Sequence, residues 1–226
     1  MTKNFIIGST TALLLTGAAS AEFIGFDGTL TENSQGNNVV QMFAVFDNAD
    51  AVALNVFNAD IGGTPGGFVQ NDVQVGAGGS WLPSNSLDIP GFADSGNDSY
   101  VTIGYGVGAA AALNGTSLDP GFGETGGLGG TIPSGAGWFN GNPPNEQVAS
   151  AFAGGTDGLS GYAVMIGQFV FSGELLFSFD AEMGANSGSG SEVVFGADLY
   201  TLPAIPAPGA LALLGLGGLV ARRRRG

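Results

Sequence analysis

Aspartate and asparagine, whose side chains supply the oxygen ligands that calcium prefers, form two short clusters in this chain. The first cluster comprises Asp47, Asn48 and Asp50, and the second comprises Asp94, Asn97 and Asp98. Ca²⁺ binds about six to eight oxygens, so either cluster is a candidate site and calcium is the candidate ion. Neither cluster matches the EF-hand pattern of alternating acids. The competing interpretation is that these side chains only form turns by hydrogen-bonding the nearby backbone.

The two tryptophans are candidates for binding carbohydrate. Trp81 and Trp138 lie in segments rich in glycine and proline, outside the predicted strands. An exposed aromatic ring beside Asn and Asp side chains can bind the apolar face of a sugar. The alternative is that each ring fills one end of a β-sandwich core.

The absence of histidine and cysteine excludes most familiar catalytic centres. The chain cannot form a Ser-His-Asp or Cys-His centre, or an imidazole or thiolate zinc site. Its only basic residues are Lys3 and the arginines at 222–225, whereas all 19 acidic residues lie between Glu22 and Asp198. The stretch 22–203 therefore carries a formal charge of −19. That charge repels a phosphate backbone and excludes nucleic acid as a partner.

Carboxylates and tyrosines are the acid–base groups that remain. Two carboxylates about 5–9 Å apart can hydrolyse a glycosidic bond, and Glu124 and Glu146 are the candidates. The competing interpretation is that both are solvated loop residues. Residues 121–126 match GxGxxG, but glycines follow them where a dinucleotide site needs a helix. We therefore assign no catalytic residue, expect no enzymatic activity and keep a glycosidase only as an alternative.

Alternation of apolar and polar residues predicts the β-strands that would position these side chains. The clearest runs are residues 174–181 and 192–200, with further runs at 39–46, 51–57, 68–75, 100–107 and 163–171. The residues predicted to face inward are Leu175, Phe177, Phe179 and Ala181 in the first run and Val193, Phe195, Ala197 and Leu199 in the second. Short strands separated by Gly, Asn, Asp and Ser predict an antiparallel, jelly-roll-like β-sandwich over residues 22–203.

Two features interrupt that pattern. Residues 46–50 (FDNAD) are echoed at 57–60 (FNAD), which predicts two strands that each end in a turn built on Asn and Asp. Residues 108–160 are rich in glycine and proline and show little alternation. They predict either a long excursion over the sandwich or a region that hides short strands.

The N-terminal segment predicts a secretory signal peptide over residues 1–21. Lys3 precedes an apolar run from residue 5 to 17, and Ala19 and Ala21 provide an A-x-A cleavage site. The run is too short to span about 30 Å of hydrocarbon, which argues against a membrane anchor. We expect export by the Sec machinery and cleavage after Ala21.

The C-terminal segment, residues 204–226, predicts a short transmembrane helix followed by a positive end. Residues 209–221 are apolar and glycine-rich, and Arg222, Arg223, Arg224 and Arg225 follow directly. Basic residues stay on the cytoplasmic side, so the rest of the chain would lie outside the membrane. The alternative, a buried core helix, fits poorly with four consecutive arginines.

Pro206, Ala207 and Pro208, the apolar stretch and the arginines together resemble a PEP-CTERM sorting signal. The resemblance covers about 22 residues, and Ala207 stands where the usual signal has glutamate. It implies export in a Gram-negative-type bacterium, recognition by the membrane protease-transpeptidase exosortase, and removal of the tail. Residues 46–48, 54–57 and 136–140 also resemble exported planctomycete-like proteins with FDN…LNVF and AGWFN segments, which implies no activity.

These features predict an exported surface or extracellular-matrix protein, transiently anchored in the inner membrane, with a structural or interaction role. Exopolysaccharide is the candidate partner outside the cell. The alternative is a carbohydrate-binding β-sandwich module assisted by calcium.

Overall fold

The computed structural model describes residues 21–63, 67–104, 115–125, 127–129, 131–142, 147–187 and 193–205. The predicted signal segment up to residue 20 and the predicted tail from residue 206 lie outside them. Within the described part, no helix is long and apolar enough to cross a membrane.

The described residues fold as an all-β protein. Ten strands alternate with short 3₁₀ turns, and none of the described helices reaches seven residues. The strands are β1 (Phe23–Glu32), β2 (Asn38–Phe46), β3 (Val52–Gly62), β4 (Tyr100–Val101), β5 (Thr116–Leu118), β6 (Ala136–Asn140), β7 (Ser150–Ala153), β8 (Ser160–Phe171), β9 (Leu175–Asn186) and β10 (Val193–Ile205).

The strands form two five-stranded antiparallel sheets. The first has the order β1-β2-β8-β4, with β7 also paired to β8, and the second has the order β10-β9-β3-β6-β5. The centre of the first sheet joins strands that are far apart in the sequence, since Val40 of β2 lies opposite Phe169 of β8. The second sheet does the same where Val56 of β3 lies opposite Met183 of β9.

Aromatic side chains from both sheets fill the space between them. Phe26 of β1 packs edge-on against Phe179 of β9, with 5.0 Å between ring centroids. Phe169 of β8 lies 5.1 Å from Phe177 of β9. Burying rings of this size supplies much of the apolar area that stabilises a domain without disulfides. The two sheets therefore share one core, as a β-sandwich does.

The alternation predicted for residues 174–181 is confirmed in β9. Leu175, Phe177, Phe179 and Ala181 are buried, whereas Leu176 and Asp180 are exposed. The polar residues in this run take only one face, so the pattern identifies which face is inward.

The inward face predicted for residues 192–200 is wrong. Phe195 and Leu199 are 68% and 57% exposed, and Val193 is also exposed. The opposite set faces inward instead, because Tyr200 and Leu202 are buried. Apolar residues occupy both faces of β10, so the alternation alone could not show which set meets the core.

The turn predicted at residues 57–60 is also wrong. β3 continues to Gly62, and its register against β9 shifts between Phe57 and Asp60. Asn58 sits in that shift with φ of 51°, a left-handed conformation that Asn tolerates better than most residues. The second FNAD copy is a bulge inside a strand, whereas the first forms a turn.

Residues 108–160 contain short strands where they are described. β5 and β6 extend the second sheet beyond β3, and β7 pairs with β8 in the first sheet. Of the two possibilities, the described part of this region favours hidden strands.

Candidate functional site

Both tryptophans are completely buried, so neither ring can stack on a sugar. Trp138 lies on β6 and its indole Nε1 donates to the Thr102 carbonyl at 3.0 Å. Trp81 donates to the Thr131 carbonyl at 3.1 Å and packs edge-on against Phe68. Each indole N–H is satisfied inside the fold, as buried tryptophan requires. The structure therefore places both tryptophans in the core rather than in a carbohydrate site.

The first Asx cluster does not gather its oxygens around a common point. Asn48 Oδ1 accepts the N–H of Asp50 at 2.9 Å, which is an Asx turn. Asp47 Oδ1 accepts the N–H of Glu22 at 2.7 Å. The described contacts of this cluster are those of a turn that fastens the start of β1.

In the second cluster, the half-buried Asp94 and the buried Asn97 belong to one network of polar side chains. Asp94 Oδ1 accepts the N–H of Gly96 at 3.0 Å and Oδ2 accepts Gln35 Nε2 at 2.8 Å. Asn97 Oδ1 accepts from the side chains of Asn33 and Asn37 at 2.8 and 2.6 Å. This network joins the turn after β1 to the segment before β4.

Asp98 points away from that network into the protein. It is fully buried, and its Oδ1 accepts the backbone N–H of Asn71 at 2.7 Å. Its Oδ2 has no hydrogen-bond partner among the described residues. The predicted trio is therefore divided, because Asp94 and Asn97 bond to the turn after β1 whereas Asp98 bonds to Asn71.

Asp72 and Ser86 accompany Asp98 in the interior. Asp72 is fully buried, and its Oδ1 accepts the N–H of Gln74 at 2.7 Å. Asp72 Oδ2 and Ser86 Oγ, like Asp98 Oδ2, lack hydrogen-bond partners among the described residues. The Ser86 hydroxyl lies close enough to Asp98 to lower the pKa of its carboxyl. We call Asp72, Ser86 and Asp98 the buried oxygen cluster.

The electrostatics of this cluster oppose negative charge. The pKa of Asp98 is raised to about 7, chiefly by burial and to a smaller extent by the charge of Asp72. The Ser86 hydroxyl and the Asn71 N–H act in the opposite direction on the same carboxyl. Burial also raises the pKa of Asp72, although the Gln74 and Ser80 backbone N–H groups lower it. Burial and the charge of Asp98 raise the pKa of Tyr100, which keeps its phenol protonated.

A polar groove of about 330 Å³ lies beside the buried oxygen cluster. Its lining comprises Gln35, Asn71, Gly91, Phe92, Ala93 and Asp94. Phe92 is 52% exposed. Asn71 links the groove to the cluster, since its N–H donates to Asp98 and its carbonyl accepts the N–H of Asp94 at 3.0 Å. This arrangement places one exposed ring beside amide and carboxylate groups.

Another acidic group lies between β1 and β10, but its buried member is fully bonded. Asp27 Oδ1 accepts the N–H of Asp157 at 3.0 Å and Oδ2 accepts the N–H of Leu159 at 2.9 Å. Asp198 Oδ2 accepts the N–H of Phe26 at 2.8 Å. Burial, the charge of Asp27 and the charge of Asp198 raise the pKa of the exposed Asp157. These contacts tie a loop and two strands together.

Most of the remaining predicted positions lie outside the residues that the structure describes. Glu146, Ala19 and the tail residues Pro206, Ala207, Pro208, Arg222, Arg223, Arg224 and Arg225 lie outside the described residues. Ala21 is described and is buried. Residues 120–125 form a 3₁₀ turn broken by Gly123, in place of the helix that a dinucleotide site needs. Among the described residues no three acidic side chains are arranged to hold a metal ion.

Asp72 and Ser86 were not singled out from the sequence. Asp72 lies 14 residues before Ser86 and 26 residues before Asp98 in the sequence. No local spacing links them, and neither lies in an acid-rich run. No protein-family model, curated protein or solved structure matches this chain, so its function is inferred from its own residues.

Proposed function

We propose that this chain is an exported, exosortase-processed protein of the cell surface or extracellular matrix, with a structural or interaction role. The observation that carries the proposal is a cation-free acidic β domain flanked by two apolar segments that each carry basic residues. The first segment resembles a secretory signal and the second resembles a sorting signal. The proposal assigns no enzymatic activity.

The charge of the domain suggests how it would act outside the cell. A formal charge of −19 over residues 22–203 keeps molecules apart and soluble. Divalent cations could bridge such a surface to acidic exopolysaccharide, which is the partner that we propose. The Sec machinery and exosortase would be partners only during export, and the C-terminal helix would hold the chain in the inner membrane until processing. We also propose that the strands of the sandwich follow a jelly-roll-like topology.

Cell fractionation tests the export route. The full chain, a chain lacking residues 205–226, and a chain with Arg222→Gln, Arg223→Gln, Arg224→Gln and Arg225→Gln are expressed in a host that has exosortase. We expect the full chain to accumulate at the surface without its tail, and both variants to be mislocalised. Replacing the same four arginines with lysine keeps the positive charge and is the matched control. Recovery of intact full chain from the cytosol would contradict the proposal.

The second candidate function is carbohydrate binding at the polar groove. Phe92 supplies an exposed ring, and Gln35, Asn71 and Asp94 supply polar groups around it. Such a pairing of one aromatic face with amide and carboxylate groups suits a polyhydroxylated ring. In this second candidate function the sugar-binding ring is Phe92, and not either of the buried tryptophans.

Affinity electrophoresis through gels that contain neutral or acidic polysaccharides tests this candidate. We expect at least one polysaccharide to retard the full chain and Phe92→Ala to migrate as it does in a plain gel. Phe195→Ala removes an exposed ring from β10 and is the matched control. Equal migration of the full chain and Phe92→Ala in every gel would exclude the groove as a sugar site.

A further inference from the structure

Three buried oxygen atoms without partners mark an unusual point in this fold. Asp72 Oδ2, Asp98 Oδ2 and Ser86 Oγ are unpaired among the described residues, and all three residues are fully buried. Buried polar atoms in folded proteins nearly always have a partner, because leaving one unpaired carries a large desolvation cost. Three unpaired oxygens in one place therefore indicate a missing partner.

The backbone brings the three side chains together from separate segments. The N–H of Asn71 donates to Asp98 Oδ1 at 2.7 Å, and the adjacent Asp72 lies close enough for its charge to act on the Asp98 carboxyl. The N–H of Val73 donates to the Asn85 carbonyl at 3.2 Å, which places Ser86 beside the same segment. Each aspartate thus uses one oxygen to bind a backbone N–H and leaves the other free, as a monodentate metal ligand does.

The domain itself, residues 22–203, supplies no basic side chain that could neutralise these carboxylates. Residues 22–203 contain no lysine, arginine or histidine. Buried carboxylates must be paired with a cation, coordinate a metal or take up protons, because an isolated buried charge is very costly. The missing partner is therefore a bound cation or a proton.

We propose that Asp72, Asp98 and Ser86 form a calcium-binding site. The three oxygens are hard ligands, and backbone carbonyls or water would supply the remainder of the coordination shell. Calcium fits better than magnesium, because Mg²⁺ retains several waters while this site is shielded from solvent. The inference goes beyond the proposed export and does not depend on it.

A calcium ion here would hold together the long connection between β3 and β4. Asp72, Ser86 and Asp98 come from three parts of that connection, which contains no strand in its described residues. Gln168 of β8 fastens the last part, since its Nε2 donates to the Asp98 carbonyl at 2.9 Å. The ion would therefore set the shape of the polar groove through Asn71, which contacts both Asp98 and Asp94.

Thermal unfolding of the full-length protein tests the proposal. The melting temperature is measured in a chelator and then with rising calcium chloride, at a pH near 8 and with sodium chloride adjusted to keep the ionic strength constant. We expect a rise of about 5–10 °C at a calcium concentration near one hundred times the Kd. Magnesium chloride at the same concentrations should have a much smaller effect.

Single substitutions assign the effect to this cluster. Asp98→Asn and Asp72→Asn should each abolish the calcium-dependent rise. Asp94→Asn should retain it, because the Asp94 carboxylate is bonded to Gly96 and Gln35. Asp180→Asn, which removes an exposed charge from β9, should also retain the calcium-dependent rise.

Terbium luminescence gives a second readout that does not depend on the variants folding. Tb³⁺ replaces Ca²⁺ in oxygen sites. Trp81 and Tyr100, which lie close to Ser86 and Asp98 in the sequence, can sensitise the luminescence of the bound ion. We expect saturable luminescence in the full chain that calcium displaces and magnesium does not. A full chain with no saturable terbium signal and no calcium-dependent rise would overturn the proposal. If calcium does not change the melting temperature of the full chain, and Asp98→Asn is more stable than the full chain, the cluster holds a proton instead of a metal ion.

Discussion

Glu22 and Asp47 exchange two hydrogen bonds at the point where β1 begins. The N–H of Glu22 donates to Asp47 Oδ1 at 2.7 Å, and the N–H of Asp47 donates to the Glu22 carbonyl at 3.1 Å. The cleavage predicted after Ala21 would make Glu22 the new N-terminus. The first bond would then join an ammonium group to a carboxylate, in a domain that otherwise has no cation.

Asp47→Asn should therefore destabilise the processed chain more than the unprocessed chain. An exposed ion pair contributes about 0.2–1 kcal/mol, so we expect the melting temperature of the processed chain to fall by about 1–3 °C. Asp50→Asn is the matched control, because it removes a charge from the same turn. An equal effect of Asp47→Asn on processed and unprocessed chains would argue against the ion pair.

The ionisation of Asp98 should make stability depend on pH when calcium is absent. Burial raises the pKa of Asp98 to about 7, above its value of 3.8 in the unfolded chain. The folded state therefore holds a proton that the unfolded state releases, so stability falls as the pH rises from about 4 to 7. The loss attributable to this carboxyl is at most about 4 kcal/mol.

Denaturant unfolding at pH 5 and pH 8, in chelator, measures this effect. Asp98→Asn cannot ionise and should lose less stability between the two pH values than the full chain loses. The Asp98→Asn variant is needed as a reference, because the other carboxylates also repel one another as they ionise and so lower the stability of both proteins. Identical losses in both proteins would show that Asp98 does not carry a raised pKa.

Added salt should stabilise the domain. Residues 22–203 carry 19 acidic side chains and no basic ones, so their charges repel one another in the compact state. Raising the sodium chloride concentration from about 0.01 M to 0.15 M shortens the screening length from about 30 Å to 8 Å. We expect the melting temperature in chelator to rise over this range. A flat or falling response would contradict the repulsion argument.

Trp138 should behave as a core residue and its neighbour Phe139 should not. Trp138 is fully buried and bonds the Thr102 carbonyl, whereas Phe139 is 40% exposed on the other face of β6. Trp138→Phe should cost about 1–3 kcal/mol, through a lost hydrogen bond and a small cavity. Phe139→Leu should change the free energy of unfolding by less than about 1 kcal/mol. Denaturant unfolding measures both, and equal costs would contradict the placement of Trp138.

Strand patterning could be predicted from the sequence only where one face is clearly polar. In β9 the half-buried Ser178 and the exposed Asp180 lie on the face opposite the core, which identified the buried set correctly. In β10 the buried Tyr200 alternates with the exposed Leu199, so hydrophobicity did not distinguish the faces. The bulge at Asn58 was missed for a related reason, since Asn and Asp are typical of turns as well as of bulges.

The buried oxygen cluster could be predicted only in part. Asp98 was identified because it lies in an acid-rich run, but Asp94 and Asn97 in that run bond to the turn after β1 instead. Asp72 and Ser86 reach it through backbone contacts between distant segments, and such contacts leave no periodic signal in the sequence. Residue spacing in the sequence can reveal a site whose residues all lie in one loop. It cannot reveal a site whose residues come together only in the folded structure.

The pairing of β2 with β8 determines when this domain can fold during synthesis. Val40 meets Phe169, and Val56 of β3 meets Met183, so neither sheet has its centre until most of the chain has been made. A growing chain can form the β1–β2 hairpin but cannot close a core around it, and contacts this distant form slowly. The nascent chain therefore stays unfolded until its last strands emerge, which is the state that the proposed export would require.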